Sequence, residues 1–212
     1  MQFRSHVFEI NNHSIEIESL ENPEDMLLHA AEGKVADPYW GKVWDSAIPS
    51  AHCLLKSDLR PGAQTLELGC GCGLLGIVGL LKGLDVTFSD HEPAAVKLAE
   101  SNAQRNGFQK FDSRTIDWNA EPDSRFDLII ASDVLYEASS FEPLLTFAER
   151  SLPADGSFRL GDPGRRSVAE FLTLATDSGW HVQIFDADLN SVLVPAINQF
   201  QWIVLGRSTD SL

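Results

Sequence analysis

The 212-residue sequence lacks an apolar stretch long enough to cross a membrane. A membrane-spanning helix needs about 20 consecutive apolar residues, and the longest apolar runs here are interrupted by Gly, Lys or Asp, as in residues 74–82. Residues 1–10 contain neither the apolar core of a signal peptide nor the Arg- and Ser-rich pattern of a transit peptide. We therefore expect a cytoplasmic protein with no membrane partner.

Cysteine is also scarce, with three residues in the chain. An odd number does not suggest a disulfide framework. Cys70 and Cys72 are two positions apart, but a zinc site needs two further ligands, and no second Cys pair or His pair has metal spacing. We expect no metal site and interpret both residues as small side chains in a Gly-rich turn.

Positive charge is underrepresented, with 16 basic residues against 31 acidic ones and a net charge of −15. Such a field repels phosphate backbones, which argues against a nucleic acid partner. It favours a cationic partner, such as a basic protein surface, an amine or a sulfonium. An acidity that serves only solubility explains the composition equally well.

What the sequence does contain is a regular alternation of strand and helix patterns. Residues 1–20 suggest two short strands around Asn11-Asn12, and a helix is expected to begin near Pro49. The strands predicted after residue 60 cover 64–68, 85–89, 111–116, 126–132, 157–161, 181–186 and 199–206, and the helices cover 74–82, 93–106, 141–152 and 167–178.

This alternation predicts an α/β fold, with a Rossmann-like seven-stranded, mostly parallel sheet covered by helices on both faces. Because no helix separates the last two strands, we expect the last strand to be antiparallel. An N-terminal β-hairpin precedes the sheet. We expect one domain over residues 1–212, with the hairpin and lead-in in 1–36 and the Rossmann-like core in 37–212.

A Gly-rich turn, Gly71-Cys-Gly73-Leu-Leu-Gly76, follows the first strand of this core and opens a helix. It formally matches the dinucleotide fingerprint, and Asp90 lies where a ribose-binding acid would fall. Taken alone, this pattern weakly indicates a nicotinamide cofactor.

The carboxylates around the turn argue against a dinucleotide. Glu67, Asp90, Asp117 and Asp133 lie at the ends of four successive predicted strands. A diphosphate would be repelled there, whereas a ligand with an ammonium, a sulfonium and sugar hydroxyls would be favoured. S-adenosyl-L-methionine has these features. The alternative is an ordinary tight turn with solvated acids.

Three segments resemble motifs of the seven-β-strand S-adenosylmethionine-dependent methyltransferases. Residues 66–76 resemble motif I, residues 88–90 resemble the motif whose acid binds the ribose, and residues 116–118 resemble the motif that meets the adenine. The resemblance, together with an aromatic expected over the methionine end, implies a cofactor site formed by Trp44, Glu67, Gly69, Cys70, Gly71, Gly73, Asp90, Asp117, Trp118 and Ser132. Core packing is the alternative for both tryptophans.

Two more segments resemble the family-16 branch, which includes many protein-lysine methyltransferases. They are the Trp-containing residues 40–47 and the Asp-x-x-Tyr segment that contains Asp133 and Tyr136. Residues 160–165 resemble a Gly-Asp-Pro-Gly-Arg segment of the lysine methyltransferases that act on the electron transfer flavoprotein β-subunit. The Asn-Pro-Pro-aromatic motif of nucleic-acid amino methyltransferases is absent from the sequence.

The resemblance implies methylation of lysine side chains of a protein. The net charge favours a basic protein substrate, and we expect a monomeric enzyme. A small-molecule amine N-methyltransferase and a non-catalytic cofactor-binding module remain alternatives. Asp133, Tyr136 and Asp162 are the candidate catalytic residues: Asp133 to orient the ammonium, Tyr136 to direct the amine, and Asp162 on the substrate side. Their ordinary alternatives are a helix cap, a surface aromatic and a turn residue.

Overall fold

The computed structural model describes residues 2–22 and 38–207. Its first two strands, β1 (Phe3–Ile10) and β2 (His13–Leu20), pair as an antiparallel hairpin. Asn11 and Asn12 form the turn with φ values of +44° and +69°. Two residues at positive φ suit the right-handed twist of a hairpin, and asparagine tolerates this conformation. The remainder of the predicted lead-in, residues 23–36, lies outside the described residues.

The main sheet contains seven strands and confirms the predicted fold. They are β3 (Gln64–Leu68), β4 (Asp85–Asp90), β5 (Asp112–Thr115), β6 (Leu128–Ser132), β7 (Ser157–Asp162), β8 (His181–Phe185) and β9 (Gln201–Gly206). Their order is β5-β4-β3-β6-β7-β9-β8. Strands β3 to β7 are parallel, whereas β9 lies between β7 and β8 and is antiparallel to both. Because β3 has β4 on one side and β6 on the other, the order reverses there, and ligands bind beyond the carboxyl ends at such a point.

Among the described residues, five α-helices cover the sheet. They are α1 (Ala47–Lys56), α2 (Leu74–Leu81), α3 (Pro93–Arg105), α4 (Phe141–Ser151) and α5 (Val168–Asp177). Strand residues alternate between two cores: Leu128 and Ile130 pack with the hairpin and α1 to α3, whereas Ile129 and Ala131 pack with α4 and α5. Each predicted helix is present with its ends shifted by at most two residues.

Two asparagines, Asn102 in α3 and Asn106 at its C-terminal cap, hold the hairpin against the core. The Asn106 amide accepts from the Glu16 backbone N–H at 2.9 Å and donates to the Glu16 carbonyl at 2.7 Å. Asn102 makes the same pair of bonds to Glu18, each at 2.9 Å, and donates to the Cys72 carbonyl at 2.9 Å. These amides satisfy the open edge of β2 and join it to the Gly-rich turn.

Within the two described ranges, no helix is long and apolar enough to pass through a lipid bilayer. The single domain over residues 1–212 stays a prediction from sequence.

Candidate cofactor and methyl-acceptor site

A cavity of about 450 Å³ opens beyond the carboxyl ends of β3, β4 and β6. Its volume lies within the usual range for small-molecule sites, roughly 300–1,000 Å³. The cavity brings together all but three of the sequence-predicted residues, namely Trp44, Glu67, Gly69, Cys70, Gly71, Asp90, Trp118, Ser132, Asp133 and Tyr136.

The other three predicted residues do not line the cavity. Gly73 is the N-cap of α2 and packs against α3, since a Cβ at Gly73 would lie 2.8 Å from the Cβ of Ala99. Asp117 is exposed and accepts from the Asn119 backbone N–H at 2.9 Å, a bond that lowers the pKa of Asp117. Asp162 is fully buried behind Arg165.

The Gly-rich turn passes directly beneath the carbonyl of Trp40. Gly71 has φ +50°, and a Cβ at this position would lie 2.9 Å from the Trp40 carbonyl oxygen. Glycine alone accommodates both the positive φ and the close approach. At Gly71 the turn therefore contributes backbone alone to the cavity lining.

Glu67 lies at the end of β3 and is 3% exposed. Its Oε2 atom has no hydrogen-bond partner among the described residues, and Gly76 leaves the space for it, since a Cβ there would lie 2.4 Å away. Burial raises the pKa of Glu67 to about 8, and the Gly76 backbone N–H offsets this in part. A buried carboxylate oxygen without a donor is costly, which favours a cationic ligand beside it.

Asp90 ends β4 and is also buried. Its carboxylate accepts from the backbone N–H groups of Gly71 at 3.1 Å and Glu92 at 3.0 Å, and lies 3.3 Å from the His91 Nδ1. Burial raises the pKa of Asp90 despite these bonds. Within residues 2–22 and 38–207, neither Glu67 nor Asp90 has a Lys or Arg partner.

Asp133 follows β6 in the left-handed region, with φ +63°. This sparsely populated conformation directs its side chain toward the start of α1, where Oδ2 accepts from the Ser46 backbone N–H at 3.1 Å and from the Ser46 hydroxyl. Its Oδ1 accepts from Arg165 Nη2 at 2.6 Å. Ser132, also a predicted site residue, has its hydroxyl 2.8 Å from that of Ser46. Such conformations cluster at functional sites.

Asp162 ends β7 and fixes Arg165 from the other side. Its Oδ2 accepts from Arg165 Nη1 at 2.8 Å, while Oδ1 accepts from the backbone N–H groups of Gly164 at 2.7 Å and Arg165 at 2.8 Å. Burial lowers the pKa of the Arg165 guanidinium, but the two carboxylates outweigh this and raise it overall. Arg165 is thus a permanent cation between two aspartates.

Aromatic residues also line the cavity. The rings of Tyr39 and Trp44 are 5.4 Å apart, and Trp44 Nε1 donates to the Tyr39 carbonyl at 3.1 Å. The Lys42 Nζ lies 4.7 Å from the centre of the Trp44 ring. This face therefore already holds one cation, as expected of an aromatic ring that attracts positive charge.

Sequence reasoning missed Ser46 and Lys42 and did not assign a role to Arg165. Ser46 lies within the Trp-containing segment, residues 40–47, and Arg165 closes the Gly-Asp-Pro-Gly-Arg segment, so both are part of recognised motifs. No spacing in the sequence indicates that they meet Asp133.

The lysine methyltransferase family matches residues 23–170, which is more than half of the chain. The chain belongs to the lysine methyltransferase family. S-adenosyl-L-methionine is the cofactor that this membership implies. The unpartnered Glu67 oxygen fits its ammonium, and the buried Asp90 fits its ribose. Gly71, which lines the cavity without a side chain, fits a ligand that approaches the turn closely.

Three curated relatives are similar to part of the chain. The electron transfer flavoprotein beta subunit lysine methyltransferase of Xenopus laevis is 29% identical over 61% of this chain and 54% of its own length. The protein N-lysine methyltransferase METTL21A of Danio rerio is 35% identical over 53% and 56%. The histidine protein methyltransferase 1 homolog of Dictyostelium discoideum is 36% identical over 54% and 40%. The chain spans about half the length of these relatives.

Solved structures support the fold. A TehB-like SAM-dependent methyltransferase from Corynebacterium glutamicum superposes with a TM-score of 0.62 at 22% identity, covering 88% of this chain and 100% of that one. The ribosomal protein L11 methylase from Lactobacillus delbrueckii gives a TM-score of 0.64 at 17% identity, with coverages of 79% and 82%.

Proposed function

We propose that this chain transfers a methyl group from S-adenosyl-L-methionine to the amine of a lysine side chain in a protein. The observation that carries this proposal is the arrangement of carboxylates in one cavity. Glu67 and Asp90 are buried there without a Lys or Arg partner in the described structure, beside Asp133, which is held by Ser46 and Arg165.

On the cofactor side, Glu67 would lie by the ammonium end, Asp90 would accept from the ribose hydroxyls, and Trp118 would contact the adenine. Gly69, Cys70 and the neighbouring backbone would form the floor. Asp117 and Gly73 remain candidates from sequence, acting from outside the cavity lining. When bound, the cofactor supplies a methyl group on a positively charged sulfur.

On the acceptor side, Asp133 would accept an N–H of the incoming amine, and Tyr136, which is 58% exposed at the rim, would direct it. The amine must lose a proton to solvent first, because an unperturbed lysine has a pKa of about 10.4. The uncharged nitrogen held by Asp133 would then be free to accept the methyl group that the bound cofactor would supply. Asp162 would act through Arg165 and not by contact with the substrate.

A surface beside the cavity supports a protein substrate over a free small amine. The segment between β8 and β9 exposes Leu193, Val194 and Ile197, which are 95%, 71% and 57% exposed. It packs on the Gly164 turn, where Asn198 donates its backbone N–H to the Gly164 carbonyl at 2.8 Å. Exposed apolar clusters of this kind mark contacts with macromolecules.

The test is transfer of tritiated methyl groups into a cell extract by the purified chain, followed by identification of the labelled molecule and side chain. We expect a labelled protein carrying methyl-lysine, and a small labelled fraction would favour the amine alternative. Replacing Leu193, Val194 and Ile197 with Ser should raise KM for the labelled protein while leaving activity on a short lysine peptide unchanged. Equal KM values would remove the support that this surface gives.

Three finer expectations belong to the same proposal. The net charge of −15 favours a substrate surface rich in Lys and Arg. A monomer is expected, to be checked by sedimentation. Location in the cytoplasm is expected from the sequence pattern alone.

A further inference from the structure

Arg165 bridges the ends of two neighbouring parallel strands inside the cavity. One guanidinium nitrogen binds Asp133 after β6 at 2.6 Å, and another binds Asp162 at the end of β7 at 2.8 Å. Asp162 is fully buried and Asp133 is 7% exposed, so neither carboxylate is screened by solvent. The two ion pairs of Arg165 are therefore part of the cavity's chemistry. They differ from surface ion pairs, which contribute little to stability.

Within the part of the chain that the structure describes, the contacts leave Asp133 a single free acceptor position. A carboxylate offers about four lone-pair sites, two on each oxygen. Ser46 fills both sites of Oδ2 with its backbone N–H and its hydroxyl, and Arg165 fills one site of Oδ1. An amine that binds Asp133 can thus donate one N–H, which leaves its lone pair free to point elsewhere.

Arg165 also changes the charge that an incoming amine meets. Two bare aspartates would favour the ammonium form, which has no lone pair and cannot attack, whereas a neighbouring guanidinium disfavours it. Glu67 and Asp90 face the cofactor end of the same cavity. The remaining titratable or charged side chains that line it are Tyr39, Lys42, Cys70, Cys72, His91, Tyr136 and Glu137.

We propose that Arg165 is a positioning residue that limits Asp133 to one free acceptor site and offsets its charge, so that the methyl-accepting amine is held in its uncharged form. This inference rests on the proposed lysine methylation. It explains why a site for a cationic side chain contains a fixed cation of its own.

The test is the pH dependence of kcat, measured on the protein that the extract experiment labels. The pH profile of kcat reports groups in the enzyme–substrate complex, including the amine. Arg165→Gln should move the alkaline midpoint upward by roughly one pH unit or more, with activity recovering at high pH. Arg165→Lys keeps a cation and should keep the midpoint near that of the wild type, at a lower rate, because the bidentate bridge is lost.

Arg166→Gln is the matched control, since it removes the neighbouring exposed arginine and should leave the profile unchanged. Binding of S-adenosylhomocysteine should stay within roughly threefold in all three variants, because Arg165 lies on the acceptor side. A uniform loss of rate at every pH with an unmoved midpoint would overturn the inference and leave the proposed function intact. Absence of any labelled protein with the wild type would overturn both.

Discussion

Two pairs of buried carboxylates lie at adjacent strand ends around the same cavity, with Asp162 behind Arg165 and outside the lining, and the two pairs differ in one respect. Glu67 and Asp90, at the ends of β3 and β4, have no Lys or Arg partner among the described residues, whereas Asp133 and Asp162 share Arg165. The bare pair, as we call Glu67 and Asp90, is complementary to a ligand that always carries a positive charge. The compensated pair, as we call Asp133 and Asp162 with their shared Arg165, suits a ligand that must bind and then react in its uncharged form.

The difference also has an energetic side. Burial raises the pKa of both Glu67 and Asp90, so these two carboxyl groups resist ionisation. A cationic ligand that binds only the folded protein relieves this cost and adds stability by mass action. The acceptor side is already satisfied within the chain, so we expect cofactor binding to order the first pair more than the second.

The largest expected effect comes from removing the charge of the compensated pair. Asp133→Asn keeps the size of the side chain but turns an amide toward Arg165. Turnover should fall by roughly 100-fold or more, about 2.7 kcal/mol of barrier, while cofactor affinity stays within roughly threefold. Kinetics and calorimetry on the same preparation check this, with thermal unfolding as a control for folding. Normal turnover would mean that Asp133 has no part in catalysis.

A smaller effect is expected from the bare pair and distinguishes a buried acid from an exposed one. Asp90→Ala removes the carboxylate proposed to accept from the ribose and should weaken cofactor binding by about 1–3 kcal/mol, roughly five- to 150-fold. Asp117→Ala is the matched control, because Asp117 is exposed and bonded to Asn119. Titration calorimetry with S-adenosylhomocysteine should rank Asp90 above Asp117. The opposite rank would place the ribose elsewhere.

The bare pair was accessible to sequence reasoning because its position depends on strand order alone. Glu67 and Asp90 end neighbouring parallel strands, and carboxyl ends of parallel strands meet at one edge. The same logic located Asp133 and Asp162. It could not exclude Asp117 from the cavity lining, because the local bonds to Asn119 that turn its side chain outward leave no pattern beyond an ordinary Asp-x-Asn.

The compensation by Arg165 was not accessible, for a physical reason. Arg165 meets Asp133 across 32 positions because the Asp133 backbone adopts φ +63° and the turn after β7 folds back through Gly164. Ser46 joins them from a helix start 87 positions away. Contacts of this kind depend on side-chain direction, which periodicity does not determine. The order of the strands follows from periodicity, and the partners at their ends do not.

Replacing Glu67 by Gln sharpens the comparison with the smallest effect, through its dependence on pH. Glu67 has a pKa of about 8, above its ordinary 4.5, so between these values the folded cofactor-free protein holds a proton that the unfolded chain has released. Stability must therefore fall as pH rises through this window, and the fall should be shallower in Glu67→Gln.

Binding an ammonium favours the ionised carboxylate, so cofactor affinity of the wild type should rise up to roughly tenfold from about pH 6.5 to 8, with proton release. Calorimetry in buffers of different ionisation enthalpy measures that release. Asp90 titrates in both the wild type and Glu67→Gln, so the difference between the two pH profiles isolates Glu67. If cofactor affinity depended equally on pH in the two proteins, Glu67 would meet no cation.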